Sequence, residues 1–145
     1  MILTHGSAIV NCPIEVVFDF LADARNEPRW LPGASDVTLT SSEPVQDGST
    51  FVGTYARAGT VTVRVVRHDR PNRITLAGEA RNLSFTDEIE LSATDGGTVL
   101  TATMRTHPKG LFRALAPVMG RVISKQFQAN WNSLKATLEL ERPQP

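Results

Sequence analysis

The 145-residue chain holds a single cysteine, Cys12. One thiol rules out an internal disulfide, a CxxC redox pair and a thiolate zinc cage. It suits a reducing compartment, so a cytoplasmic location is expected. Eighteen successive apolar residues occur nowhere, and the opening MILTHGSAIV lacks a basic stretch followed by a long apolar one. Neither a membrane span nor a secretory leader is therefore expected. Excess charge is missing as well: 15 Lys+Arg stand against 15 Asp+Glu. A formal net charge of +0 removes the electrostatic footprint of a nucleic-acid binder. Three histidines, at positions 5, 68 and 107, show no ligand spacing, and no metal is expected. There is no GxSxG elbow, GxxxxGK(S/T) loop, HExxH, GxGxxG or EF-hand loop. The common nucleophile, nucleotide and metal chemistries lack support, and no cofactor is expected. Lysine is scarce, 3 against 12 arginines, a coding bias that suits a GC-rich bacterial genome.

What remains is the composition of an ordinary folded domain, 41% hydrophobic and 21% charged. A chain of this length buries roughly two-thirds of the surface it exposes when unfolded, enough for a core without staples. Residues 1–141 read as a single domain, with residues 142–145 (Arg-Pro-Gln-Pro) as a terminal tail. An apolar run from Ile2 to Val10 stops at Asn11-Cys12-Pro13, and proline sits well as a first helical residue. A strand should give way there to a helix whose buried face is Ile14, Val17, Phe18 and Leu21. Two prolines and a glycine in Arg25–Gly33 forbid a long regular element but allow a short helical turn ending near Trp30.

From Asp36 to Arg105 the pattern becomes runs of β-branched and aromatic residues, punctuated by Asp47-Gly48, Ala58-Gly59, Pro71-Asn72 and Asp95-Gly96. Six strands in meander order follow. The last hairpin allows a register test. With Asp95-Gly96 as a two-residue turn, Thr94 pairs with Gly97, which sets Leu91 opposite Leu100, Ile89 opposite Ala102 and Asp87 opposite Met104. The apolar residues of both strands then share one face, and Glu88, Glu90, Thr101, Thr103 and Arg105 share the other. The hairpin before it stays open. A two-residue Ala58-Gly59 turn puts Val52 and Thr54 beside Val61, Val63 and Val65, whereas a three-residue turn puts Phe51 and Tyr55 there.

Lys109 to Glu141 returns to a helical period, with Leu111, Leu115, Val118, Val122, Phe127, Trp131, Leu134 and Leu138 spaced mostly by three or four. Pro117 should kink this helix or divide a short leading piece from a main helix of about twenty-four residues, roughly 36 Å long. The order is β-α-α-β-β-β-β-β-β-α. Such an α+β chain buries its curved antiparallel seven-stranded sheet by wrapping it around the last helix. A curved sheet and a straight helix leave a gap between them, and gaps of this kind bind apolar ligands.

The stretch V-N-C-P-I-E-V-V-F-D-F-L-A-D-A-R-N-E-P-R-W-L-P-G, Val10 to Gly33, resembles the opening of the polyketide cyclase/dehydrase-like branch of the START-like helix-grip (SRPBCC) superfamily. D-G-G-T-V-L-T at Asp95 to Thr101 and N-W-N-S-L-K-A-T-L-E at Asn130 to Glu139 resemble its other habitual stretches. The similarity covers nearly the whole chain and rests on structural motifs. It implies a helix-grip fold with a hydrophobic pocket for lipids, polyketides, hormones or other apolar ligands. Some relatives are cyclases or dehydratases and others carriers, and no catalytic residue set comes with the shared stretches.

Among the residues themselves, Asp87 interrupts the apolar row Leu83, Phe85, Ile89, Leu91 on the cavity face. A buried carboxylate there is costly. It either orients a ligand or moves a proton, or else a bulge or an arginine partner removes it from the cavity. His5 is in phase with Ser7 and Ile9, and the opposite phase would put Gly6, Ala8 and Val10 inside. The candidate acid/base groups are thus Asp87, His5 and Tyr55. The expected pocket lining is Trp30, Phe85, Asp87, Met104, Met119 and Phe127, residues that would otherwise serve as plain core. His68, in Arg67–Pro71, reads as solvated, and His107 stands near the mouth. Arg64, Arg67, Arg70 and Arg73 match neither a strand nor a helix period and read as a solvated set. Asn82-Leu83-Ser84 fits a glycosylation sequon but falls at a strand start.

The first functional expectation is a carrier or binding domain for a hydrophobic small molecule, lipid or polyketide-like. The second is a cofactor-free cyclase or dehydratase, and the third a protein-interaction module using the outer sheet face. Oligomeric state is not encoded in any pattern found.

Overall fold

Asn11, Cys12 and Pro13 break the N-terminal apolar run, and the structure, a computed structural model describing residues 1–141, turns there from strand to helix. Strand β1 (Ile2–Val10) leads to helix α1 (Ile14–Ala22), a 3-10 turn (Ala24–Asn26) and the single-turn α2 (Glu27–Trp30). Six strands follow: β2 (Ala34–Leu39), β3 (Thr50–Tyr55), β4 (Gly59–Asp69), β5 (Arg73–Glu79), β6 (Leu83–Thr94) and β7 (Gly97–Pro108). A second 3-10 segment (Gly110–Leu115) enters the long α3 (Ala116–Glu141). The tail assigned to residues 142–145 lies outside the described residues.

The seven strands form one antiparallel sheet in the order β1-β7-β6-β5-β4-β3-β2, so a meander is closed at one edge by the first strand pairing with the last. This is the α+β helix-grip arrangement expected from the element order. Helix α1 buries Ile14, Val17, Phe18 and Leu21, the face its period defines, and turns Asp19 outward to Arg70 at 2.8 Å.

The β6–β7 register is the one turn chemistry demands, with Thr94 opposite Gly97 and Asp87 opposite Met104. The β3–β4 hairpin pairs Tyr55 with Gly59. That leaves Ala56, Arg57 and Ala58 as a three-residue loop in which Arg57 takes a φ of 74°. Phe51 and Tyr55 therefore share the inner face with Val61, Val63 and Val65, which settles the open register.

On β1 the inner face belongs to Ile2, Thr4, Gly6, Ala8 and Val10, while His5 is exposed. The phase that faced His5 inward is thus corrected. Leu3 and Ile9 are as apolar as Ile2 and Val10, so hydrophobicity alone does not choose between the two faces. What chooses is α3: a Cβ on Gly6 would come within 2.5 Å of Trp131 Cδ1, and only a glycine lets that ring lie against the strand.

Helix α3 has 26 residues, about 39 Å at 1.5 Å per residue. Pro117 occupies its first turn, where no backbone donor is required, and so divides the short 3-10 segment Gly110–Leu115 from the main helix instead of kinking it. Phe127, Trp131, Leu134 and Leu138 are its buried residues. The first half of the expected apolar stripe behaves differently. Leu111, Leu115, Val118 and Val122 are 91%, 51%, 67% and 45% exposed. The step from Val122 to Phe127 is five residues, which turns the stripe by about 140° and puts its two halves on different faces of the helix.

Candidate functional site

Between the inner sheet face and α3 lies a cavity of about 280 Å³. Val61 and Val63 of β4 and Leu76 of β5 supply its apolar wall, Phe85 and Asp87 come from β6, and Met104 and Thr106 from β7. Facing them are Trp30 of α2 and Phe127 and Trp131 of α3. The two tryptophans stack with ring centroids 5.5 Å apart and an interplanar angle of 23°. Phe127 meets Trp131 edge-on at 5.5 Å. Ser133 Oγ donates to the Trp30 carbonyl at 2.5 Å and ties α2 to α3. Across the sheet Gly78 lies opposite Phe85, and a Cβ there would sit 2.2 Å from the ring. The missing side chain on β5 is what lets the Phe85 ring form this wall.

Two carboxyl groups enter this apolar space. Asp87 Oδ1 is buried with no hydrogen-bond partner in the protein. Burial raises the acid to about 8, with the charges of Glu27 and Glu88 adding to the effect. Glu27 accepts a hydrogen bond from the Tyr55 hydroxyl. Burial pushes its pKa up to about 7 against the opposing pull of that bond. The Tyr55 phenol is raised in turn, first by burial and then by the Glu27 charge beside it. Near neutral pH Glu27 and Asp87 are therefore poised between acid and carboxylate, while Tyr55 stays protonated.

Among the described residues, four buried side-chain polar atoms find no partner within the protein: Trp30 Nε1, Asp87 Oδ1, Thr106 Oγ1 and Trp131 Nε1. All four belong to residues that line the cavity. Each such atom costs about 1–3 kcal/mol if left unpaired, so the polar deficit of the fold is concentrated in one place.

Of the residues singled out from sequence, Trp30, Phe85, Asp87, Met104, Phe127 and Tyr55 line the cavity. Met119 does not; it is half-buried one turn before Val122 and Ile123, where α3 first borders the space, so its placement in the wall is corrected. His5 is likewise removed, since it lies on the outer face with Nδ1 3.3 Å from Thr103 Oγ1. His107 is exposed. His68 is half-buried on β4, its ring edge-on to Phe18 at 4.9 Å, so it is less solvated than its polar surroundings imply. Three of the four arginines form half-exposed surface ion pairs, Arg67 with Asp69, Arg70 with Asp19 and Arg73 with Glu90.

Glu27 escaped the sequence reading because Arg25–Gly33 has no period to read. One signal was there: Glu27 is three residues before Trp30, and in a helical turn such residues share a face. No group of three or more His, Cys, Asp or Glu is placed to hold a metal among the described residues. Nor is any described helix long and apolar enough to cross a membrane.

Residues 1–139 match the family described as "Polyketide cyclase / dehydrase and lipid transport". The chain belongs to that family. The resemblance carried by Val10–Gly33, Asp95–Thr101 and Asn130–Glu139 is thereby borne out. Solved structures share the helix-grip fold of this polyketide cyclase/dehydrase family member at low identity. A START superfamily protein from Mycobacterium smegmatis is 9% identical with a TM-score of 0.77, over 98% of this chain and 100% of that one. A protein from Thermus thermophilus is 13% identical with a TM-score of 0.73, over 97% and 99%. The di-domain ARO/CYC StfQ from the steffimycin biosynthetic pathway is 17% identical with a TM-score of 0.74, over 96% of this chain and 51% of that one. These likenesses concern the fold alone. No curated protein matches the chain.

Proposed function

We propose that residues 1–141 work as one domain that binds an apolar small molecule, as a carrier or binding protein, with the polar end of the ligand held at Asp87 and Glu27. The observation that carries this reading is that every buried, unpartnered polar side-chain atom among the described residues belongs to a residue of the cavity lining, with Asp87 a carboxylic acid among apolar neighbours. An apolar body replaces the missing packing against Val61, Met104 and Phe127, and its polar end meets Asp87 Oδ1. A protonated Asp87 donates and an ionised one accepts, so the site takes a carbonyl or a hydroxyl at that end. At about 280 Å³ the cavity stands at the small end of ligand pockets, about 300–1,000 Å³, which favours a compact ring system or a single chain. The description of the family, which joins cyclases and dehydrases with lipid transport, supports the same class of ligand.

Native mass spectrometry of the purified protein, followed by organic extraction, tests the reading directly: an apolar molecule should leave with denaturation. Nile red supplies a second test. Met104→Trp should fill the cavity and abolish dye binding while the fold survives. Unchanged affinity in a folded variant would remove the ligand from this space.

A second reading, cofactor-free cyclase or dehydratase chemistry on a polyketide-like substrate, is favoured by the pair of acids held near 7 and 8. A desolvated carboxyl in that range is suited to move a proton beside a carbonyl. Under this reading Asp87→Asn lowers turnover by roughly 100-fold, and a variant that retains the full rate takes Asp87 out of the mechanism.

A further inference from the structure

The entry to α3 is more apolar than a solvated surface needs to be. Among the described residues, Leu111, Phe112, Leu115, Val118 and Val122 are exposed, by 37% to 91%. The other large exposed hydrophobics, such as Leu3, Val16, Val66 and Leu140, are scattered singly along the chain, as on most protein surfaces. These five fall within twelve consecutive positions. From Leu115 onward they recur at three and four residues, so one side of the helix stays apolar where no other element covers it.

Charge adds a second, independent observation. Lys109, Arg113, Arg121 and Lys125 alternate with these apolar residues, and no Asp or Glu occurs between Asp95 and Glu139. In a chain of net charge +0, one end of the molecule is therefore locally basic. Lys109 is engaged by Glu79 at 2.6 Å. Arg113, Arg121 and Lys125 make no ion pair among the described residues. The same strip borders the cavity, which Val122, Ile123 and Gln126 help to line.

We propose that the Gly110–Leu115 segment and the first turns of α3 dock on an anionic lipid bilayer, with the cavity mouth beside the membrane surface. Apolar side chains interleaved with cations at every turn, with no acid among them, match the character of a helix lying in the membrane interface. Leu111, Leu115 and Val118 enter the boundary between headgroups and acyl chains, while Arg113, Arg121 and Lys125 meet phosphate. A purely apolar patch would suit a protein partner equally well; the unpaired cations favour the negative lipid surface.

Sedimentation of the full chain with vesicles tests the docking, using phosphatidylcholine alone and phosphatidylcholine with phosphatidylglycerol in equal parts. Binding is expected to the phosphatidylglycerol vesicles, to weaken as salt rises, and to be slight on phosphatidylcholine alone. Each cation at the surface strengthens binding about fivefold, so Arg113→Gln, Arg121→Gln and Lys125→Gln together lower the partition coefficient about 100-fold. Leu111→Ser with Leu115→Ser should abolish binding by removing the inserted groups. None of these five residues lines the cavity, so Nile red binding by each variant checks the fold and the ligand site separately. Variants that keep the dye and lose the vesicles support the docking. A wild-type protein that ignores phosphatidylglycerol vesicles, or variants that bind them as well as wild type, overturns it. Self-association that the leucine substitutions abolish overturns it too, because a second copy would then be the occupant.

Discussion

Replacing Asp87 with Asn keeps the shape of the side chain and deletes its ionisation, which isolates what burial does to this acid. In the fold Asp87 is raised to about 8 from its ordinary value of 3.8. An acid whose folded value is raised leaves the native state holding more protons than the unfolded chain between those two values. Stability is then greatest at low pH and falls as pH rises from about 4 through about 8. The slope for one such group is about 1.36 kcal/mol per pH unit. Between pH 5 and pH 8 the wild type should thus lose about 4 kcal/mol that Asp87→Asn does not lose, or about 10 °C in relative Tm for a domain of this size. The asparagine amide brings its own unpaired donor, so the informative quantity is the change in the mutant-minus-wild-type difference with pH. Urea unfolding followed by the fluorescence of the stacked Trp30 and Trp131 measures it. A difference that stays constant from pH 5 to pH 8 would show that Asp87 titrates as an ordinary surface acid, and the electrostatic account of the site would fail. Glu27→Gln should bring the upper end of the window down, because the Glu27 charge contributes to the Asp87 shift.

Glycines at contrasting sites separate close packing from helix propensity. Gly6→Ala drives a methyl into Trp131 at 2.5 Å and should cost about 1–3 kcal/mol in chemical unfolding. Gly120→Ala, within α3, meets only Ile2 Cγ2 at 3.7 Å and should stabilise by about 0.5–1 kcal/mol; equal effects of the two changes would contradict the described α3–β1 contact. Gly78→Ala places a methyl 2.2 Å from the Phe85 ring. Displacing that ring should weaken Nile red binding more than it lowers Tm, and a titration beside a thermal melt distinguishes the two losses.

Sequence legibility varied from element to element for physical reasons. The β6–β7 pairing was readable because Asp95-Gly96 and the inside-outside alternation were two independent constraints with one solution. β1 was not, since both its faces are apolar and the choice rests on Trp131 arriving from the far end of the chain. β3 needed the loop length, and Ala56-Arg57-Ala58 carries no glycine to declare where φ turns positive. Asp87 stood out as one acid in an apolar row, whereas Glu27, its partner in the cavity, sits in a proline-interrupted turn where no row exists. In α3 a single five-residue step within an otherwise regular spacing hid a change of face.

The pairing of β1 with β7 also determines when the domain can be completed. Thr4 reaches the Met104 carbonyl across 100 positions of sequence, and Trp131 must arrive later still to cover Gly6. On the ribosome, therefore, the first strand waits without a neighbour while nearly the whole chain is synthesised. Contacts of such long range slow folding and prolong the exposure of open edges. During that wait β1 offers apolar side chains on both faces, Leu3 and Ile9 on one and Ile2 and Val10 on the other. The cavity is the last part to close, because Phe127 and Trp131 of α3 complete its wall.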